Sequence, residues 1–243
     1  MIKKIYANAD NTITNAHKPT PNGFSRTRAT GSNMGAADIL EVYGLYNNYS
    51  TSSAEISRAL IQFPMSEISA ARSSGEIPES GSVNFFLSLK DAPSQETLPS
   101  NYTISVYAVS SSWEEGFGLD MDHYDDLTYD VVGSNWLRRS GSTSWTTIGG
   151  DYLTGTLVTQ SFPNGNEDLN VDVSNVVESW LGSEYENYGF IIKLSQSFEP
   201  YFSSSTGANV SPDIHNPDGS RRSYFTKRFF ARNTEFYFKK PCI

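Results

Sequence analysis

Apolar residues alternate with a period of two in one segment after another, and this pattern constrains the fold more than any other feature. In residues 83–89, for example, the apolar side chains Val83, Phe85, Leu87 and Leu89 share one face of an extended chain. Similar patterns predict strands at residues 39–45, 58–63, 103–110, 156–162, 189–194, 224–231 and 235–239. Half-buried strands in this number suit two packed antiparallel sheets. The sequence therefore predicts an all-β, jelly-roll-like antiparallel β-sandwich.

One segment has helical periodicity instead. Its apolar residues share one face of a helix, namely Val173, Val176, Val177, Trp180 and Leu181. Asp172 is suited to cap the N-terminus, and Gly182 is suited to end the helix in the left-handed conformation. The pattern predicts one short helix near residues 173–181 that closes an end of the sandwich. A weaker pattern after Pro64 predicts a further helical turn.

The remaining composition limits the class of protein. Of the 243 residues, 13% are aromatic, which provides material for one sizeable core, and no linker divides the chain, so residues 1–243 are predicted to form a single domain. The net charge of −9 opposes binding to nucleic acid. Cys242 is the one cysteine, which excludes an intrachain disulfide. No apolar stretch predicts a membrane span, and no signal peptide is expected.

Carboxylates cluster between residues 114 and 126. Oxygen ligands in one loop suit a hard cation such as calcium, and we name four of them as calcium candidates: Asp120, Asp122, Asp125 and Asp126. The spacing is not that of an EF-hand, so an acidic loop without a metal is the alternative. The three histidines lack metal-ligand spacing, and the serines lack a nucleophile elbow. No catalytic residue is predicted, and no cofactor other than a structural calcium ion.

Two sets of surface candidates remain. Exposed aromatic rings stack on sugars, and the candidates for this are Tyr43, Tyr46, Tyr49, Trp136 and Tyr201. The alternative for each of them is a structural role in the core. A basic segment near the C-terminus contains the candidates for a docking stripe against an acidic neighbour, Arg221, Arg222, Lys227, Arg228 and Arg232. Its alternative is a solvated strand face that discourages edge pairing.

The order of several short motifs resembles the DNRLRE-type domain, a jelly-roll family related to carbohydrate-binding modules. The motifs cover most of the chain and are Ala9-Asp10, Gly31-Ser-Asn33-Met-Gly35, Ser57-Arg-Ala-Leu60-Ile-Gln-Phe63, Trp113-Glu-Glu-Gly116, Ser144-Trp145, Gly149-Gly150-Asp151-Tyr152, Val171-Asp-Val-Ser174, Trp180-Leu181-Gly182 and Asn187-Tyr-Gly189-Phe-Ile-Ile-Lys193. The resemblance implies a β-sandwich that binds other molecules and does not catalyse.

The chain departs from that family at residues 118–122 and 224–241, and these segments resemble structural proteins of tailed phages. A virion protein leaves the host by lysis and needs no signal peptide. The resemblance implies a structural or decoration protein in a capsid, neck, tail or fibre, present in symmetric copies and bound to other virion proteins. A carbohydrate-binding adhesion module that recognises a host-surface glycan is the alternative.

Overall fold

The computed structural model of the protein describes residues 2–20, 25–94, 97–119 and 133–243. Strands account for most of the regular structure in these ranges. They are β1 Ala9–Thr14, β2 His17–Pro19, β3 Arg26–Arg28, β4 Ile39–Tyr46, β5 Ala54–Gln62, β6 Phe86–Leu89, β7 Tyr102–Ala108, β8 Val158–Phe162, β9 Leu169–Asp172, β10 Phe190–Leu194, β11 Tyr201–Ser203, β12 Ala208–Val210 and β13 Ser223–Phe230. The predicted all-β sandwich is confirmed, while the single domain stays a prediction.

A seven-stranded antiparallel sheet forms the first layer. Its strand order is β13-β4-β5-β10-β7-β8, and β1 also pairs with β5. The register places Ile192 of β10 opposite Ala59 of β5 and Val106 of β7, so that small and β-branched side chains lie together on the core face. The pairs β13-β4, β5-β10 and β10-β7 join strands that are not consecutive in the chain, which is typical of jelly-roll-like connections.

The second layer is built around the β6–β9 pair and both ends of the chain. Ser88 of β6 exchanges backbone hydrogen bonds with Cys242, and Ile5 exchanges them with Ile243. Leu87, Leu89, Leu169 and Val171 of this layer pack with the large sheet in one apolar cluster. This cluster is the main core of the sandwich.

Two α-helices lie in the described residues, α1 Met65–Ser73 and α2 Ser174–Leu181. Helix α2 is the predicted short helix, and α1 confirms the helical turn predicted after Pro64. Helix α2 presents Val176, Val177 and Trp180 to the core, as its periodicity predicts. The prediction that Gly182 takes the left-handed conformation is wrong, since its φ is −79°. The next residue, Ser183, takes that conformation instead (φ 58°). Neither helix is long and apolar enough to cross a membrane.

The predicted strand at residues 235–239 is wrong. The segment forms a short 3-10 turn at Tyr237–Lys239, in which the amide of Lys239 donates to the carbonyl oxygen of Phe236 at 2.8 Å. Three consecutive aromatic residues, at positions 236–238, do not alternate with polar ones, and all three are exposed. The segment therefore lacks the alternation by which a strand buries one face and exposes the other.

The outer face of the large sheet is also covered, by the segment 133–152. Trp136 and Trp145 of this segment form a second apolar cluster with Ile13, Leu60 and Ile191 of the sheet. The indole nitrogen of Trp145 donates to the carbonyl oxygen of Asn135 at 2.8 Å, which satisfies its buried donor. The covering segment ends beside an open cleft.

Candidate functional site

The cleft has a volume of about 350 Å³ and combines aromatic with charged side chains. Its lining comes from distant parts of the chain, namely Asn15, Arg28, Ala54, Ile56, Arg58, Trp136, Ile148, Glu199, Pro200, Tyr201, Phe202 and Asn209. The volume lies within the usual range of ligand pockets. Two of the predicted sugar-stacking residues line it, Trp136 and Tyr201, but of these two Tyr201 alone presents an exposed ring, at 50%. Trp136 is 6% exposed because it packs in the second apolar cluster, so the expectation that it faces a sugar is wrong.

The position of Trp136 is fixed by a close approach of the backbone at Gly149. A Cβ atom on Gly149 would lie 2.8 Å from the indole of Trp136 and 2.9 Å from Nη1 of Arg58. Gly149 also has a positive φ of 88°, which glycine adopts most readily. Its carbonyl oxygen accepts a hydrogen bond of 2.6 Å from Nη1 of Arg58. A glycine at this position therefore allows the backbone of the covering segment to pack directly against Trp136 and Arg58.

Arg58 and its neighbours form a buried ionic floor. The guanidinium of Arg58 lies 5.1 Å from the ring of Trp136, and its Nε and Nη2 atoms each donate to the carboxylate of Glu199 at 2.9 Å. Lys193 shares the same carboxylate, with Nζ 2.5 Å from Oε2. One carboxylate thus binds two cations. All three side chains are largely buried, with exposed fractions of 11% for Arg58, 8% for Glu199 and 8% for Lys193.

The charges of the floor stabilise one another. Burial alone raises the pKa of the Glu199 carboxyl, but the charges of Arg58 and Lys193 outweigh it and hold that pKa below its usual value. Burial lowers the pKa of the Lys193 amine, and Glu199 opposes this shift. Removing one partner would leave a buried charge without compensation.

Arg28 lies at the edge of the cleft, in β3. Its Nη1 donates to the carbonyl oxygens of Asn15 and Ala54 at 2.8 and 2.7 Å. No carboxylate in the described ranges forms a salt bridge with it. Burial lowers the pKa of the Arg28 guanidinium, and the charge of Glu55 opposes this shift. A partly buried cation thus faces a ligand-sized space.

The other predicted aromatic candidates lie elsewhere. Tyr43 and Tyr46 are 4% and 5% exposed, so the expectation that they face a sugar is wrong. The Tyr43 hydroxyl lies 2.7 Å from the hydroxyl of Thr14, and that of Tyr46 donates to the carbonyl oxygen of Asn209 at 3.3 Å. Tyr49 is 47% exposed and lies outside the cleft, with its ring centroid 4.4 Å from that of His17 and the two rings tilted by 38°.

The predicted docking stripe is interrupted. Arg221 and Arg222 are exposed, but Lys227 is on the core face of β13 and is 1% exposed, with its Nζ 2.5 Å from Asp91. Arg228 pairs with Glu41 at 2.7 Å, and Arg232 pairs with Glu115 at 2.5 Å. The five residues therefore do not form one continuous stripe, because β13 alternates and three of the five have carboxylate partners. Docking through Arg221 and Arg222 stays a prediction.

The calcium candidates Asp120, Asp122, Asp125 and Asp126 lie outside the described residues, and the calcium site stays a prediction. In residues 2–20, 25–94, 97–119 and 133–243, no three His, Cys, Asp or Glu side chains come together as a metal site would require. A larger groove of about 620 Å³ runs beside both chain ends and is lined mainly by apolar residues such as Ile2, Ile77 and Phe86. No arginine among the described residues lines this groove, whereas Arg28 and Arg58 both line the cleft.

Sequence reasoning missed the charged half of the cleft. Arg58 and Lys193 interrupt apolar strands, at Arg58-Ala-Leu-Ile61 and Phe190-Ile-Ile-Lys193-Leu194. A charged residue inside such a strand indicates a buried partner, because an unpaired buried charge is costly. This signal could have singled out both residues, but not Glu199, which lies 141 positions from Arg58.

Comparison of the chain with protein-family models finds no match, and comparison with curated proteins finds none. The resemblance to the DNRLRE-type family therefore stays a prediction.

Proposed function

We propose that the chain is a structural or decoration protein of a tailed-phage virion, part of a capsid, neck, tail or fibre, that acts by binding neighbouring proteins. The observation that carries this proposal is an exposed aromatic segment formed by Phe236, Tyr237 and Phe238, which are 42%, 63% and 68% exposed. Clustered exposed aromatic residues mark interaction surfaces, and aromatic residues supply much of the binding energy at protein interfaces.

The aromatic segment is held in place by its neighbours. The ring of Tyr237 lies 4.8 Å from that of Tyr6, and Phe236 lies 6.4 Å from Phe238. Nζ of Lys239 lies 4.8 Å from the Phe236 ring. These contacts reduce the entropy that the side chains would lose on binding. The resemblance of residues 224–241 to phage structural proteins supports the same proposal.

A test requires particles that contain the chain. Phage carrying Tyr237→Ser together with Phe238→Ser is compared with wild type and with Leu157→Ser, a control residue that is 49% exposed on another segment. Copies per particle are measured by quantitative mass spectrometry, and their positions by cryo-electron microscopy. We expect the double variant to fold but to be lost from particles, and the control to be retained. Absence of the wild-type chain from purified particles would refute the virion proposal.

A second function is favoured by the cleft. We propose as the alternative that the chain is a carbohydrate-binding adhesion module for a host-surface glycan. A sugar ring stacks on aromatic faces while polar groups orient its hydroxyls. Tyr201 and Phe202 offer such faces, at 50% and 65% exposure, beside the arginines of the cleft. Both functions are compatible in one phage attachment protein.

A glycan array tests this alternative. We expect the wild-type chain to bind, Tyr201→Ala to lose binding, and Tyr237→Ala, an exposed aromatic residue outside the cleft, to keep it. An array on which the wild-type chain binds no glycan counts against the adhesion function and leaves the virion proposal standing.

A further inference from the structure

We propose that the saccharide bound in the cleft is acidic and that the Arg28 guanidinium binds its carboxylate or sulfate group. This inference rests on the carbohydrate-binding function proposed above and names the class of sugar that the cleft would take.

The first observation is the hydrogen bonding of Arg28. In the part of the chain that the structure describes, its Nη1 atom alone donates to the protein, to the carbonyl oxygens of Asn15 and Ala54. Within the described residues, Nε and Nη2 have no protein acceptor. These two atoms form the side of the guanidinium that binds a carboxylate with two parallel hydrogen bonds. The protein thus fixes the orientation of the guanidinium and leaves its recognition edge to a ligand.

The second observation is the balance of charge beneath the cleft. The floor holds two cations, Arg58 and Lys193, against the one carboxylate of Glu199. Arg28 adds a further cation at the edge, and the nearby Glu55 offsets part of it. The local balance is therefore positive, although the whole chain carries a net charge of −9. Partial burial weakens solvent screening, so an anion in the cleft would be attracted.

The third observation is that the cationic edge and the aromatic wall line the same space. Tyr201 and Phe202 belong to β11 and line the cleft together with Arg28. A free inorganic anion would use the arginine but not the rings, and a neutral sugar would use the rings but not the charge. An acidic sugar uses both, which is why we favour it over either.

The test uses matched ligands and the full chain. Affinity is measured by isothermal titration calorimetry for hexagalacturonate, for its fully methyl-esterified and hence neutral counterpart, and for a sulfated galactan oligosaccharide. We expect an acidic oligosaccharide to bind at least about tenfold more tightly than the neutral ester, since charge-assisted hydrogen bonds are about twice as strong as neutral ones. The galacturonate and sulfate arms distinguish a carboxylate from a sulfate ligand.

Two variants locate the effect. Arg28→Gln should reduce binding of the acidic ligand by about tenfold or more, and so remove most of the difference in affinity between the acidic ligand and its neutral ester. Arg222→Gln is the matched control, because Arg222 is exposed and does not line the cleft. The comparison of acid with ester on the wild-type chain stays informative even if Arg28→Gln unfolds.

Each outcome has one meaning. Equal affinity for acid and ester, with binding lost in Tyr201→Ala, would overturn the acidic-sugar inference and keep the carbohydrate-binding function. Binding of inorganic sulfate as tight as that of the sulfated oligosaccharide would also overturn it, because the rings would then contribute nothing. If no saccharide binds and the glycan array is also negative, the underlying function fails as well.

Discussion

Asp10 is a buried carboxylate whose replacement should change how stability depends on pH. Asp10 is 1% exposed, and its Oδ2 accepts a hydrogen bond of 2.6 Å from the backbone amide of Arg232. Burial, and to a smaller extent the charge of Glu115, raise its pKa from 3.8 to about 7, although Arg232 and Lys240 oppose the shift. The carboxyl group therefore binds its proton more tightly in the folded state than in the unfolded state.

The sign of the effect follows from this difference. Between about pH 4 and pH 7 the folded state keeps the proton and the unfolded state releases it, so stability falls as the pH rises through this window. At about 1.4 kcal/mol per pKa unit, a shift of about three units destabilises the fold by up to about 4 kcal/mol above pH 7. Asn at position 10 is neutral at every pH, and its oxygen can still accept from the Arg232 amide.

We expect Asp10→Asn to match the wild type near pH 3, below both pKa values, and to be more stable by up to about 4 kcal/mol near pH 8. The measurement is the free energy of urea unfolding at several pH values. Because both proteins share all other titrating groups, the difference between their curves isolates Asp10. Glu79→Gln, at an exposed position, is the control. Parallel curves for Asp10→Asn and wild type would refute the reasoning.

Three further predictions concern the cleft. Glu199→Gln leaves two buried cations without a carboxylate, so it should cost about 3–5 kcal/mol of unfolding free energy in urea. Replacing all three floor residues, Arg58→Met, Lys193→Met and Glu199→Leu, should change stability far less, or raise it by about 1–4 kcal/mol, in the same assay. Gly149→Ala forces a side chain into a positive φ and against Trp136, and should lower stability by about 1–3 kcal/mol, whereas Gly155→Ala, with nothing within 4 Å, should not. If Glu199→Gln or Gly149→Ala is as stable as the wild type, the contacts described for that residue do not stabilise the fold.

The alternation of apolar residues predicted the sandwich because one face of most strands is buried in a single core. It missed β1, whose sequence from Ala9 to Thr14 is mostly polar. Asp10, Asn11 and Thr12 are nonetheless at most 1% exposed, and Asn11 donates to the carbonyl oxygen of Ser134 at 2.8 Å. Buried polar strands depend on partners from distant residues, which a periodicity of hydrophobicity does not detect.

Two residues that line the candidate cleft were named from the sequence, but the cleft itself was not predicted. Trp136 and Tyr201 could be named from residue type alone, because aromatic rings in turn-rich segments are the groups that stack on sugars. The choice between exposed and buried tyrosines could not be made, since Tyr43 and Tyr46 lie on strand β4 and their burial depends on segments that pack over it. Arg58 could have been singled out as a charge within an apolar strand. Arg28 and Glu199 required the tertiary structure, because the three residues line one cleft only when β3, β5 and the segment after β10 come together.

The buried charges bear on the choice between the two proposed functions. A protein that only binds neighbours through an aromatic surface gains little from an ionic floor, because buried ion pairs are often no more stabilising than apolar residues of the same size. Groups of this kind concentrate at functional sites, where their electrostatics serve a ligand. The cleft and the segment 236–238 involve different residues, so a particle protein could dock through the aromatic segment and keep the cleft open to solvent. On this reasoning the floor residues should matter for saccharide binding and not for incorporation into particles, while Tyr237 and Phe238 should show the reverse.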